Sequence, residues 1–131
     1  MDSDALLAAL PQTGVAVSEA LNRFMGNQEL YLSFLLRLPQ AMELPAIRQA
    51  LQQQQADVFY TKIHNLKGLS GNLSLLPIAQ LSQQLLEEYR EHGLNHPQRL
   101  ESILQQIDAA AAPLIQLLKQ YGAVFPQGGP L

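Results

Sequence analysis

The stretch "KIHNLKGLSGNL", residues 62–73, threads leucines at helical spacing through one histidine, two lysines and two glycines. A glycine inside a helix is roughly 0.5 to 1 kcal/mol worse than an alanine. Gly68 and Gly71, one and two turns after His64, therefore need a reason other than helix propensity. Phe59, Ile63, Leu66, Ser70 and Leu73 follow the i, i+4, i+7, i+11, i+14 spacing of one buried face, which predicts an amphipathic helix over residues 56–73. His64 lies about 100° round from Ile63, on a neighbouring strip. Residues three, four and seven apart share a helix face, so that strip also holds Tyr60 and Thr61 before the histidine, and Lys67, Gly68 and Gly71 after it. It is predicted to meet solvent or a partner.

Glycine at i+4 and i+7 removes bulk on the C-terminal side of the imidazole, so a large object can approach the ring along that edge. Lysine at i+3 sets a cation within reach of anything negative carried by the ring. No Asp or Glu stands between Val58 and Leu86, although the chain has 11, and the two lysines of that window, Lys62 and Lys67, flank His64. Each feature has a plainer explanation when taken alone: lone helical histidines are ordinarily surface residues, helical glycines often mark close packing, and a carboxylate-free window arises by chance. One exposed imidazole prepared for a doubly negative group, such as a phosphoryl, accounts for all three.

Around this helix the chain reads as further helices. Val17-Ser18 before "EALNRF" suggests an N-cap and a short helix that stops at Gly26, with Asn27 capping the next. Leu30, Phe34 and Leu38 then form an i, i+4, i+8 stripe, which Pro39 and Pro45 interrupt before it resumes at Leu44, Ile47 and Leu51. This predicts one proline-kinked helix or two end to end. The glutamines at 52–55 read as a solvated helix end. Pro77 suits a first helical position, with Ile78, Leu81, Leu85 and Tyr89 as the buried stripe and Gly93 as the stop. Pro97 opens a last helix, carried by Leu100, Ile103, Leu104, Ile107, Leu114 and Leu118 to about Tyr121, with a bend expected at Pro113. Short loops between long helices predict an all-α, up-down-up-down antiparallel four-helix bundle with a short N-terminal helical extension. Residues 1–121 read as a single domain and residues 122–131 as a flexible C-terminal tail.

Composition narrows the function. With 131 residues, 47% hydrophobic and 15% charged, the chain has the profile of one soluble globular domain. No apolar run approaches the roughly 18 residues that cross a bilayer, and acids stand at the start where a secretory signal carries basic residues. A cytoplasmic protein is expected. The absence of cysteine excludes disulfides, thiolate metal sites and a cysteine nucleophile. A net charge of −3 argues against nucleic acid. His92 and His96 have i, i+4 spacing, but Gly93 and Pro97 break the helix that would align them and no third ligand stands nearby, so no metal site is expected. There is no glycine-rich phosphate loop, so no ATP site is expected either.

The run "HNLKGLSGNL" resembles the His-x-Leu-Lys-Gly-x-(Ser/Ala)-x-Asn-(Leu/Ile) signature of histidine-containing phosphotransfer (HPt) domains of phosphorelays. Upstream, "ALNRFMGNQELYLSFLLRLPQ" is similar to the family's pattern of Ala-Leu, Arg-Phe, Gly and acidic-Leu-Tyr leading into the first bundle helix. The likeness covers Gly14 to about Gly93, and the last helix more loosely. Ser74 departs from it, since glycine often follows the Asn-Leu pair, and Pro39 with Pro45 is more proline than the pattern has. The resemblance implies a relay intermediate rather than an enzyme with its own ATP site. It implies that His64 accepts a phosphoryl group from a receiver-domain aspartyl phosphate and passes it to another receiver aspartate, with Mg²⁺ bound on the receiver. It also implies Lys67 as the positive partner of the phosphoryl group, Gly68 as the gap that admits the receiver, and Gly71 as an extension of that gap. Tyr60 and Thr61 border the partner's footprint, and Gln83 or Gln84 on the following helix is a candidate hydrogen-bond donor to the phosphoryl. Expected partners are response-regulator receivers or a hybrid sensor histidine kinase, met by a monomer. An imidazole in water, with its ordinary pKa near 6.5, is largely neutral at neutral pH and has a free ring nitrogen for the attack. The alternative is a helical docking module whose histidine is never phosphorylated. A metal or haem bundle lacks inward-facing ligands on several helices.

Overall fold

Asp2 caps the first helix by accepting a hydrogen bond from the Ala5 amide at 2.8 Å, in a computed structural model that describes residues 2–124. This helix, α1 (Ser3–Ala9), runs into a 3-10 turn (Leu10–Thr13) that ends at Gly14 with φ +87°. Only glycine serves at that point, because a Cβ on residue 14 would lie 2.6 Å from the Pro77 ring. The next residues pair with the chain before Pro77: the Ala16 amide donates to Ser74 at 2.9 Å and the Leu76 amide to Gly14 at 3.2 Å. This isolated bridge is the sole β pairing among the described residues. It laces the N-terminal extension to the bundle.

Helix α2 (Val17–Arg23) begins after Ala16, with no side-chain cap, so the cap expected near Ser18 is not made. It ends through Met25 and Gly26, both with positive φ. Asn27 caps α3 (Gln28–Leu36) as expected, accepting from the Leu30 amide at 3.0 Å. The expected single or double helix is in fact three pieces, continuing with α4 (Leu38–Ala41) and α5 (Leu44–Gln52). Pro39 and Pro45 each stand within the first two positions of a piece. A helix start has unpaired amides in any case, so a proline there loses nothing. Both prolines thus begin helices instead of kinking one.

The stripe Leu30, Phe34, Leu38 requires correction: Leu38 is buried, whereas Leu30 and Phe34 are exposed by 45% and 39%. Tyr31, Leu32 and Leu35 face the core in their place. Phe34 rests edge-on against Phe24 and under the Arg37 guanidinium, which stands 5.2 Å from its ring centroid.

The remaining bundle helices are α6 (Ala56–Asn72), α7 (Leu76–His92) and α8 (Pro97–Val124). Gln54, at φ +56°, turns the chain out of α5, and Gly93 closes α7. Helix α8 continues through Pro113 and past Tyr121 to Val124, because every core position from Leu100 to Leu118 keeps its period. Residues 125–131, within the segment read as a tail, lie outside the described residues. Helix α6 packs between α5 and α7, α7 between α6 and α8, and α3 with α5 closes the bundle against α8. Phe59, Ile63, Leu66, Ser70 and Leu73 are all buried, as the spacing of α6 predicts. On α7 the buried set is Ile78, Ser82, Leu85 and Leu86, with Leu81 and Tyr89 half-buried at its margin. Arg48 ties α5 to α8, donating to both carboxylate oxygens of Asp108 and to Glu101. No described helix is long and apolar enough to cross a membrane.

Candidate functional site

Side chains on an α-helix lean toward its N-terminus, so the surface over one residue is covered by the side chain one turn later. On α6 the residue one turn after His64 is Gly68, and the next along that edge is Gly71. Both are exposed, and a Cβ built at either would have no neighbouring atom within 4 Å. Close helix packing is thereby excluded as the reason for these glycines. They leave the C-terminal side of the imidazole uncovered.

His64 itself is exposed. Its recorded contact is with Tyr60, one turn earlier, at 5.9 Å between ring centroids and a 43° interplanar angle. Thr61 and Lys67 are exposed on the same strip, so all six strip residues fall on one face. The Lys67 carbonyl accepts from the Ser70 hydroxyl at 3.2 Å, but its ammonium makes no ion pair or hydrogen bond among the described residues. Lys62 differs: its ammonium lies 2.9 Å from the Glu43 carboxylate at the start of α5. The carboxylate-free window is therefore a property of the linear sequence, not of the surface, and Lys67 is the cation left available beside His64.

Neither Gln83 nor Gln84 is hydrogen-bonded to His64. The Gln83 amide donates to Glu87 on its own helix at 3.0 Å, while Gln84 is exposed without a hydrogen bond. Tyr60 pairs with Tyr89 across the antiparallel α6/α7 contact at 5.5 Å. Equal steps toward the connecting turn then set His64 level with Leu85, which is fully buried. His92 and His96 do come together, with ring centroids 4.8 Å apart, and Glu88 lies 3.2 Å from His92. Even so, no group of three or more His, Asp or Glu residues able to hold a metal occurs among the described residues.

Two features of the site have no local signal in the sequence. The first is a groove of about 510 Å³ lined by Phe24, Met25, Leu30, Phe34, Leu69 and Leu73, with Arg23 and Asn72 at its polar margin. Leu69 and Asn72 are the immediate neighbours of Gly68 and Gly71, so this apolar surface continues the open edge of α6. The second is the closure of the last turn of α6, whose free carbonyls are met from α2 and α3. The Arg23 guanidinium donates to Asn72 at 2.7 Å, and the Tyr31 hydroxyl donates to Leu73 at 2.9 Å. Burial pushes the Tyr31 phenol up to about 12, against the opposing influence of the Arg23 charge.

The family model described as Hpt domain matches residues 29–117, more than half of the chain. The chain belongs to the Hpt domain family. Neither the comparison with curated proteins nor the comparison with solved structures gives a match. As an Hpt domain, it is a histidine-containing phosphotransfer module of two-component signalling, without an ATP site of its own, and receiver domains are its class of partner. The motif run 64–73 and the upstream Arg23, Phe24 and Tyr31 converge in space on one end of α6.

Proposed function

We propose that His64 is the phospho-acceptor and that the chain relays phosphoryl groups between receiver aspartates as a cytoplasmic monomer. The observation that carries this is the uncovered C-terminal side of an exposed imidazole, where Gly68 and Gly71 have open space in place of side chains. In the forward step, a lone pair on a His64 ring nitrogen attacks the phosphorus of the receiver's aspartyl phosphate. A phosphorus–nitrogen bond forms, the phosphorus–oxygen bond breaks, and the aspartate carboxylate leaves with the bonding pair. The proton on the other ring nitrogen passes to water. Onward transfer is the same exchange in reverse, at a second receiver. Lys67, exposed and unpaired at i+3, is suited to steady the phosphoryl oxygens, and Mg²⁺ is assigned to the receiver. Gly68 and Gly71 admit the receiver, Thr61 lies at its border, and the apolar groove beside Leu69 supplies a docking area of the kind a transient contact uses.

Phosphorylated receivers of both kinds, from hybrid kinases and from response regulators, are the test partners. Incubation with such a receiver is expected to give an acid-labile, base-stable phosphoprotein, as a phosphorus–nitrogen bond requires, and His64→Gln is expected to abolish the label. Label persisting in that variant would remove His64 from the mechanism, and a parent chain that takes no label would favour the helical docking alternative.

A further inference from the structure

A row of aromatic rings leads from the core to the imidazole. Phe59 is fully buried and its ring lies 5.8 Å from that of Tyr89. Tyr89 lies 5.5 Å from Tyr60 at an interplanar angle of 33°, and Tyr60 lies 5.9 Å from His64. All three separations fall within the range of about 4.5 to 7 Å in which aromatic rings attract one another. Tyr89 is itself fixed to α6, its hydroxyl donating to the Ala56 carbonyl at 3.4 Å. Tyr60 is thus held from behind by a ring that α7 supplies, and it presents its free side to His64.

The arrangement is asymmetric. One turn before His64 stands a half-buried aromatic ring, and one turn after it stands Gly68, with nothing in the space a side chain would occupy. An exposed imidazole on a helix has two accessible staggered χ1 wells, since the third runs into the preceding turn, and two broad χ2 orientations. The lean of helical side chains carries its ring toward Tyr60, where ring contact favours one orientation and closes that side to an incoming group. The side left open is the one beside Gly68, where Lys67 is also available.

We propose that Tyr60 is a positioning residue for phosphotransfer: it is a backstop that holds the His64 ring in the orientation exposed toward Gly68. The inference rests on His64 being the phospho-acceptor. It is distinct from a role for Tyr60 in binding the receiver, since a backstop acts on the rate within the complex and not on its affinity.

The test compares the full chain with Tyr60→Phe, Tyr60→Leu and Tyr60→Ala, using a phosphorylated receiver domain. Loss of one favoured well among two for χ1 and two for χ2 slows transfer at saturating receiver by about two- to fourfold. Tyr60→Leu and Tyr60→Ala should show this loss at saturating receiver whatever change in affinity comes from Tyr60 lying at the receiver's border, while Tyr60→Phe should keep the parent's maximal rate. The carbon-bound ring protons of His64, followed by NMR without any receiver, should lose their ring-current shift in the first two variants and keep it in Tyr60→Phe. Tyr60→Leu retains bulk beside Tyr89, so it guards against a result caused by unfolding. Unchanged rates and unchanged resonances in Tyr60→Leu overturn the proposal. So does weakened receiver affinity at an unchanged maximal rate, which makes Tyr60 a docking residue. If the parent chain takes no phosphoryl at all, the functional reading fails, whereas the NMR comparison still reports on the backstop.

Discussion

Arg23 donates to the main-chain carbonyl of Asn72 at 2.7 Å, across 49 positions of sequence, so a short helix near the N-terminus closes the helix that carries His64. The same guanidinium reaches the Ser74 hydroxyl at 3.0 Å and the Glu19 carboxylate at 3.2 Å, and Ser74 in turn donates to Glu19 at 2.9 Å. Ser74 needs these partners because its φ is +56°, a conformation that costs a residue with a Cβ roughly 1 to 2 kcal/mol. Glycine would adopt it freely, which accounts for the glycine of the family pattern at this point. Serine replaces that freedom with a hydroxyl that joins α2 to the end of α6.

This clasp should weaken in acid. The Ser74 hydroxyl foremost, and then Arg23, hold the Glu19 carboxyl below its ordinary value. A group whose folded pKa is depressed contributes stability at pH above its unfolded pKa and loses it as pH falls through the folded one. The contribution is therefore complete at neutral pH and disappears at pH below the usual glutamate range. Glu19→Gln should flatten that part of the acid limb, leaving the chain slightly less stable at pH 7 and converging on the parent as the folded carboxyl becomes protonated. Melting temperature against pH for both proteins checks this; parallel curves would mean that the Glu19 carboxylate contributes nothing to the fold.

Arg48 joins α5 to α8 by a two-pronged contact with Asp108, at 2.7 and 3.3 Å, and a further one with Glu101 at 3.1 Å. The Asp108 hydrogen bond, more than any other influence, raises the already high pKa of the guanidinium. Because the side chain is only 25% exposed, the network is partly sheltered from water and salt. Arg48→Ala should cost about 1 to 2 kcal/mol. Arg48→Lys should recover only part of that, since an ammonium cannot match both carboxylate oxygens. Urea unfolding at low and high salt measures it, and the gap between variant and parent should narrow in salt. Transfer at His64 should be unaffected, because the network lies on other helices.

What the sequence discloses of this protein follows the range of the interactions involved. The strip around His64 is legible because α6 is uninterrupted, so each residue's face follows from its number alone. The inner face of α3 is not, since "LYLSFLLRL" offers two apolar stripes at helical spacing and the packing of Tyr31 under Leu73 selects between them. Glu43 adopts φ +53° without any glycine to announce it, and that turn delivers its carboxylate to Lys62. The Gln83 pairing with Glu87, by contrast, is an i, i+4 contact within one helix, which residue spacing alone discloses. The bridge between Gly14–Ala16 and Ser74–Leu76 joins distant segments and carries no periodic signal.

Lys67 and Gly68 adjoin one another on the same strip, yet electrostatics and access should separate them. Lys67→Ala removes a charge-assisted contact worth on the order of 1.5 to 3 kcal/mol when fully made, and exposure to water reduces it. Transfer should slow by about tenfold, and by no more than tens of fold, while receiver affinity and melting temperature stay near those of the parent. At position 68 the open space around a built Cβ fixes the sign of the stability change. Gly68→Ala should stabilise the fold by about 1 kcal/mol, which raises the melting temperature by roughly 3 to 5 °C in a chain of this size. Gly68→Gln should keep most of that gain, because glutamine is also a better helix former than glycine and its Cβ meets nothing within 4 Å. It should nonetheless weaken receiver binding, since a glutamine leaning toward the N-terminus of α6 lies across the approach to His64. Measuring receiver affinity, transfer rate and melting temperature for the three variants separates the two effects. A Gly68→Gln protein that melted well below the parent and bound its receiver normally would show that the glycine serves packing within the bundle, and that the open edge of α6 is not the receiver's path to the histidine.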